Sequence, residues 1–576
     1  FHLFLKSLEG AFVSYFPEKR VFLDRKAQAD GGAAFEVALC RECGQHYLVG
    51  RVLNNGNRLV EAIRDPGHPD FGAMFFRPTE TSSDGDDEGN GDGEPFSLCV
   101  RCGEIRRQGT PLTCGHSQSI VVKMQEAAQE REDQIPKCSA CGYQAPDPVR
   151  EVVHGTDGPH AVITTNLFQS IPQDRRKILA FADGRQEAAF FAWYLEKSYR
   201  DILNRNLLLQ AARSLSAHAP DGVSLAEMAV GLRDAFKQRG VFPATTGELE
   251  LRRQAWLWLY REFLTDEPRI SLEGVGLVQW RIQFPPWFAA PNFLQAAPWS
   301  LTDQQAKDLI ALLLNSLRED RAVEVKTENG VSVQWDDLEI QATQLKVRIG
   351  APRGAKDVRA WDGPHGKRTR LMAKILQAKG VSESESIQQA VDTLRLIWDA
   401  LRDCDDKANL PDEKLLVPVG DARRINPLWW RLRVVANDTV LQCGTCGRIQ
   451  SVSVGELCSR HRCPGKVAIK PVASLDANHY RTIYGTDLPG SLRVEEHTAQ
   501  LDKDKAREFQ RDFKAGKIHV LSCSTTFELG VDLGNLDTVF LRNVPPESFN
   551  YAQRAGRTGR RSGYPGFVIT YCKRGP

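Results

Sequence analysis

Nowhere does this 576-residue sequence hold an uninterrupted apolar run of the roughly 20 residues that a bilayer-spanning helix requires, and no secretory-type segment opens it. The expectation is a cytoplasmic chain with no membrane partner. Charge of one sign is also lacking. Lys and Arg number 75 and Asp and Glu 73, a net charge of +2, so the molecule is no polycation and any nucleic-acid footprint must be local. No internal repeat is visible. Hydrophobic residues at 41% and charged residues at 26% are ordinary for a globular chain, and the length is too great for one core, so three or four domains are expected. The sequence starts FHLFLKSLEG, without methionine, and reads as the middle of a larger polypeptide.

Cysteine is plentiful: 14 residues, ten of them in five closely spaced pairs. With no export signal, such spacing points to metal rather than to disulfides. Cys443-x-x-Cys446 and Cys458-x4-Cys463 set two thiolate hooks on one loop pair, which suits tetrahedral Zn2+; His461 is an alternative to Cys458. The N-terminal block offers Cys40, Cys43, Cys99, Cys102, Cys114, His116, Cys138 and Cys141, enough for two further tetrahedral sites. The favoured grouping joins Cys99 and Cys102 to Cys138 and Cys141, and Cys40 and Cys43 to Cys114 and His116. A second grouping leaves Cys114 and His116 unliganded, and His46 is a weaker candidate. Closed four-ligand zinc is structural, so two or three structural Zn2+ sites are expected. A zinc-dependent hydrolase, which needs an open metal position and a carboxylate base, is disfavoured. Cys404, Cys523 and Cys572 read as small buried residues.

The chain's pattern is α/β. Residues 1–62 are β-rich, and SSDGDDEGNGDGE (82–94) is an acidic, apolar-poor loop. KILAFADGRQEAAFFAWYL is a strand, a turn and a helix, the unit that builds a parallel sheet. Helices are expected at 224–238, 247–264, 302–319, 367–379 and 384–403, and a β-like cysteine-bearing piece at 430–470. After 475 the strands SLRVEEH, KIHVLSCS, LDTVFLRNV and GFVITYCK alternate with the helices LDKDKAREFQRDFKAG and SFNYAQRAGR. The expected architecture is a parallel-sheet domain split by a large insertion, with zinc-ribbon-type β modules. Its parts are a zinc-bearing connector (1–155), the first part of the sheet domain (156–205), an insertion that is helical and then zinc-binding (206–475), and the rest of the sheet domain (476–576).

The densest chemistry lies in FNYAQRAGRTGRRSGYPG (549–566). On a helix, Arg557 and Arg560 would share a face, and two guanidinium forks there can grip the oxygens of a transferring phosphoryl group. Gln553 sits one turn before Arg557. Upstream, SCSTTFELGVDLG ends a strand in the hydroxyls of Thr525 and Thr526 and turns at Gly530 and Asp532. Hydroxyls and N–H groups at a strand end suit a nucleic-acid phosphate, although Thr525 and Thr526 serve equally as strand-end caps. Asp532 can orient an arginine or accept from a ribose hydroxyl. Arg185 begins a helix after a turn and can reach phosphate, or pair with Glu187 or Asp183. Trp287, Trp299, Trp429 and Trp430 are candidates for base stacking or for the core.

Taken together, these pieces resemble the second RecA-like domain of superfamily 2 (DEAD/DEAH-type) helicases. EHTAQLDKDKAREFQRDFKAGKIHVLSCSTTFELGVDLG looks like that family's run into motif V, AQRAGRTGRR like motif VI, and KILAFADGRQEAAFFA like motif IV. The resemblance covers about 140 residues in two pieces. It implies a RecA-like fold, ATP with Mg2+ as cofactor, and ATP-driven translocation on nucleic acid, with DNA the expected form. It assigns Arg557, Arg560 and Gln553 to catalysis, Gly530, Asp532 and Arg554 to the nucleotide side, and Thr525, Thr526, His497 and Arg185 to the strand. It also implies a partner, an upstream RecA-like domain of the same polypeptide, because the sequence contains no GxxxxGK[ST] loop and no DExH-type box; GPHGKRTR (363–370) lacks the spacing. The chain is therefore expected to carry half of an ATP site and to be inactive alone. FHLFLKSLEGAF, ALCRECGQHY and the cysteine knuckles before FADGRQEAA look like large bacterial helicases, several of which act in DNA repair or anti-phage defence alongside partner proteins. The competing reading is a zinc-stabilised DNA- or protein-binding scaffold without its own ATPase activity.

Overall fold

The computed structural model describes residues 1–572 except 42–43, 54–56, 64–66, 70, 80–92, 126–133, 141–142, 144–146, 153–156, 266, 268, 329, 341, 351–353, 411–412, 436–438, 462, 489, 499–500, 525–532 and 560–564. Two compact units result. One comprises Phe1–Tyr199 with Leu492–Pro576, the other Arg200–Ser491.

The first unit is built on a six-stranded, all-parallel sheet. Its spatial order is His2–Lys6, Phe567–Cys572, Thr538–Leu541, Ile178–Phe181, Val520–Cys523, Val494–His497. The three central strands, TVFL, ILAF and VLSC, are buried at every position. Such strands are covered on both faces, which is why they read as continuous apolar runs rather than alternating ones. Leu179, Phe181, Leu521, Val539 and Leu541 form one core with Phe513. Phe513 comes from the helix Lys503–Lys514, whose start is capped by the Asp502 side chain and which gives way at Gly516 (φ +72°). The edge strand His2–Lys6 was not legible as part of this sheet. It pairs with Phe567–Cys572 at the far end of the chain, so no local pattern announces it.

An antiparallel sheet fills the rest of this unit. Its order is Ile105–Arg107, Glu94–Cys99, Ser119–Gln125, Met74–Thr79, His46–Leu53, Gly32–Cys40, Phe12–Ser14, Arg20–Phe22. Successive side chains alternate between two cores: Phe35, Val37, Leu48 and Phe76 in one, Ala38, Cys40, Tyr47, Val49 and Phe75 in the other. Of the acidic stretch, residues 82–92 lie outside the described residues.

The second unit contains the helices Leu225–Arg239, Glu248–Phe263, Asp303–Glu319, Lys367–Gln377 and Glu383–Asp405. Reciprocal capping boxes begin two of them, Ser224 with Glu227 and Thr302 with Gln305. Trp299 and Trp430 are buried, which removes them as base-stacking platforms, whereas Trp287 and Trp429 are half-buried and meet edge to face at 5.9 Å. No helix among the described residues is long and apolar enough to cross a membrane.

Near its two ends this unit clasps itself. The Asn206 amide donates to the carbonyls of Tyr484 (2.9 Å) and Thr486 (2.7 Å), the Tyr484 hydroxyl donates to the Ile270 carbonyl (2.7 Å), and Arg205 pairs with the buried Glu262 (2.8 Å). The chain therefore enters and leaves the unit at neighbouring points. Asn206→Ala strands two carbonyls whose donor is lost, and is expected to cost about 2–4 kcal/mol, read as a lower urea midpoint together with faster proteolysis around residues 484–491.

Candidate functional site

In an open parallel sheet, ligands sit outside the carboxyl ends of the strands. Here that edge holds Asp183 and Arg185 after Ile178–Phe181, Ser524 after Val520–Cys523, Thr498 after Val494–His497, and Arg542 after Thr538–Leu541. Arg554, on the helix Ser548–Ala555, is buried across the Phe181 ring, its charge 5.5 Å from the ring centre, and Nη1 donates to Asp183 (3.4 Å). It thereby ties the helix to the turn after the central strand. Asp183 is thus engaged by Arg554, and Arg185 stands exposed at the first position of the helix Arg185–Ser216.

Arg542 went unnoticed in the sequence. It is buried, donates to Asp157 Oδ1 (2.6 Å), His160 Nδ1 (3.0 Å) and the Glu187 carbonyl (2.8 Å), and lies 4.3 Å from the Phe191 ring centre. Burial pulls its pKa down and the charge of Asp157 opposes that. The available signal was a lone cation directly after the apolar run TVFL.

The arginine pair differs from its expected arrangement. The helix stops at Ala555, with Gly556 as its cap, and Gly559 turns the chain at φ +73°. Arg557 therefore lies in a turn, and a shared helical face with Arg560 does not form; Arg560 itself lies outside the described residues. Two glycines in four residues favour the turn over continuation of the helix. Burial pushes the Cys523 thiol far up and the Arg557 charge opposes that shift, which sets Arg557 within electrostatic reach of the end of Val520–Cys523. Gln553 is half-buried on the preceding helix. His497 ends its strand within 3.1 Å of Gln510 Nε2, and burial lowers its pKa, which favours the neutral ring. Thr525, Thr526, Gly530 and Asp532 lie outside the described residues.

The metal candidates form two described clusters, each with ligand atoms within 4.8 Å of one another: Cys99, Cys102, Cys114 and His116, and Cys443, Cys446, Cys458 and Cys463. The first overturns the favoured grouping of Cys99 and Cys102 with Cys138 and Cys141. The hairpin that follows Cys102 brings the Cys114–His116 turn back onto it, a contact that sequence spacing does not encode. In the second, Cys458 and not His461 joins the set.

Both clusters fit zinc. Zn–S bonds of about 2.3 Å in a tetrahedron place sulfurs about 3.8 Å apart. Cys443 and Cys463 are separated by 3.7 Å, and Cys446 and Cys458 by 3.6 Å. For one sulfur and one imidazole nitrogen the edge is about 3.6 Å, and Cys99 Sγ lies 3.5 Å from His116 Nδ1. A Cβ on Gly465 would sit 2.5 Å from Cys443 Sγ, so only glycine allows that loop to close.

Each cluster has a charged neighbour that orders it. Glu104 accepts from the backbone N–H groups of Thr113 (2.9 Å) and Cys114 (2.7 Å) and from Arg106 (2.7 Å). Burial alone would raise its pKa, but these donors outweigh it and hold the carboxylate well below its usual range. At the other cluster the Lys374 ammonium donates to the carbonyls of Cys458 (3.3 Å), Arg460 (3.1 Å) and Cys463 (2.7 Å). Elsewhere, Cys40 and Cys138 are both fully buried in one core, where the Tyr47 hydroxyl lies 3.1 Å from Cys138 Sγ. Their pair mates, Cys43 and Cys141, lie outside the described residues.

Residues 474–562 match the model of the helicase conserved C-terminal domain. That stretch is similar to a helicase C-terminal domain. It supplies three strands of the parallel sheet and the helix Ser548–Ala555, while the middle strand Ile178–Phe181 comes from outside the match. Residues 21–153, which contain the first cysteine cluster, match the YjiV N-terminal domain. Among curated relatives, Druantia protein DruE of Escherichia coli is 48% identical over 100 residues, 15% of this chain and 5% of that protein. The ATP-dependent helicase Lhr-Core of Methanocaldococcus jannaschii is 39% identical over 72 residues, 12% of this chain and 9% of that protein. The matches thus span a small fraction of either relative. A solved structure of the helicase MrfA bound to DNA and AMPPNP is 24% identical and covers 16% of this chain and 13% of that one, at a TM-score of 0.14.

Glu104→Gln keeps the shape of the side chain but removes the charge that gathers the Thr113–Cys114 turn. Metal affinity at the first cluster is expected to fall about 10–100-fold, measured by chelator competition, with the Cys443 cluster unaffected.

Proposed function

We propose that this chain is the second motor domain, with its metal-bearing modules, of an ATP-dependent nucleic-acid helicase or translocase whose expected track is DNA. The reading is supported by the turn bounded by Gly556 and Gly559, which holds Arg557 and directly follows the helix that the Arg554–Asp183 pair ties to the carboxyl edge of the parallel sheet. An upstream RecA-like domain of the same polypeptide supplies the phosphate-binding loop. ATP with Mg2+ would bind there and would supply the transferring phosphoryl group. Arg557 and Arg560 reach it and neutralise the charge that develops on its oxygens. Gln553 orients the arginine turn, and Gly530, Asp532 and Arg554 shape the nucleotide side. Thr525, Thr526, His497 and Arg185 line the strand's path, with Arg185 exposed and the neutral His497 ring acting as a hydrogen-bonding group rather than a cation. A role in anti-phage defence or DNA repair, with partner proteins of such a system, belongs to the same proposal; the likeness to DruE supports it.

Zinc is structural in this reading. Four knuckles share one backbone signature, in which the first cysteine's N–H donates to the carbonyl five residues on: Cys40 to Gln45, Cys99 to Glu104, Cys138 to Tyr143 and Cys443 to Arg448, each at 2.8–2.9 Å. Two of these knuckles belong to the described clusters. The other two supply a third site, from Cys40, Cys43, Cys138 and Cys141, supported by the burial of Cys40 and Cys138 in one core.

Two measurements test the proposal. In the complete parent protein, Arg557→Ala is expected to lower DNA-stimulated ATP hydrolysis about 10³-fold with zinc content and folding intact; unchanged turnover would leave the scaffold reading in its place. Elemental analysis is expected to give three zinc ions per chain, and Cys138→Ser two.

A further inference from the structure

Within the second unit a cleft of about 380 Å3 opens between two small sheets. One consists of Val223–Ser224, Trp430–Val434 and Val278–Ile282, the other of Ile449–Gln450, Thr439–Cys443 and Val467–Pro471. On the first sheet Val278, Trp280, Trp430 and Leu432 turn inward to the core. The alternate positions face the other way. Gln279 pairs with Arg433 in register and Arg281 with Arg431, so Arg281 and Arg433 are diagonal neighbours on one face, and both line the cleft.

Among the described lining residues none is acidic. Arg281 is steadied by Gln279 Oε1 (3.0 Å) and the Ser451 carbonyl (3.1 Å), yet its Nε is sealed from solvent without a partner. Burial, and then the like charge of Arg433, pull its pKa down; Asp308, which lies outside the lining, opposes this. The Arg433 side chain makes no ion pair or hydrogen bond with any described residue. Gly222, at φ +103°, lets the neighbouring loop close onto these strands, for a Cβ there would lie 2.8 Å from Arg433 Cγ. Two cations held side by side are costly without an anion between them.

We infer that this cleft binds the phosphates of a single nucleic-acid strand. Diagonal cross-strand neighbours stand about 7–8 Å apart, of the order of the distance between successive phosphates on an extended strand, so each arginine takes one phosphate. The hydroxyl of Thr439, exposed on the rim, donates to a further phosphate oxygen, and the exposed Ile469 offers an apolar seat for sugar or base. The inference rests on the nucleic-acid reading only for the choice of a strand over a free phosphate ester. It adds to the motor path a second contact point, in the insertion.

The test is fluorescence anisotropy of the 576-residue chain with a labelled oligothymidylate and no nucleotide, so binding is read whether or not any motor turns over. For Arg281→Ala/Arg433→Ala the slope of log K against log[salt] is expected to fall by about 1.4, two single-strand phosphate contacts at about 0.7 each, with affinity at low salt down at least tenfold. Arg281→Lys/Arg433→Lys is expected to keep the slope. Full zinc content in both variants separates this effect from misfolding. An unchanged slope and affinity in the alanine variant would overturn the inference. So would binding of ATP or inorganic phosphate that disappears in that variant while oligothymidylate binding persists, because the ligand would then be a free phosphate ester.

Discussion

The parallel sheet of the first unit is held together by one short strand. Ile178–Phe181 hydrogen-bonds on one edge to Val520–Cys523 and on the other to Thr538–Leu541, and the Ser522 hydroxyl reaches the Ala188 carbonyl (2.8 Å) across 334 residues of sequence. A structureless connection of that length would oppose closure by about 5 kcal/mol beyond a constant term, from (3/2)RT ln n. The intervening segment is not structureless. Asn206, Tyr484 and Thr486 clasp its two ends together, so the long loop behaves as a short one. Parallel pairing between distant segments and a self-closing insertion are two halves of one solution.

The carboxyl edge of that sheet then acquires its chemistry from cations of two kinds. Arg554 and Arg542 are buried and spent on Asp183, Asp157 and backbone carbonyls, which fixes the turns after their strands. Arg185 begins the helix after one of these turns, and Arg557 lies in the turn that follows the helix carrying Arg554. A buried cation that loses its partner is costly, so the buried arginines hold the edge in place. The two metal-candidate clusters follow a similar division of labour: cysteine and histidine side chains offer the ligand atoms while Glu104 and Lys374 order the turns that present them.

Much of this was legible in sequence, and the reasons differ by element. The five helices of the insertion showed themselves through apolar spacing and caps such as Ser224 and Thr302, which are local properties. The central strands showed themselves as unbroken apolar runs. The grouping of the N-terminal ligands did not, because CxxC knuckles are alike and only the hairpin between Cys102 and Cys114 decides which meet. The edge strand His2–Lys6 and the role of Arg542 depend on contacts across most of the chain. Helical periodicity continued through Gly556 and Gly559 would put Arg557 and Arg560 on one face, but the helix ends at Gly556 instead.

The separation across the central strand also sets a waiting time. A ribosome adds about 5–20 residues per second, so the 334 residues between Ala188 and Ser522 take roughly 15–70 s to appear. During that interval ILAF has emerged with neither neighbour made, an apolar strand with two open edges. The length of the insertion is thus a clock as well as a connection. Each residue added to it lengthens the period in which the nascent chain needs a chaperone or a slow competitor reaction, and each residue removed shortens it.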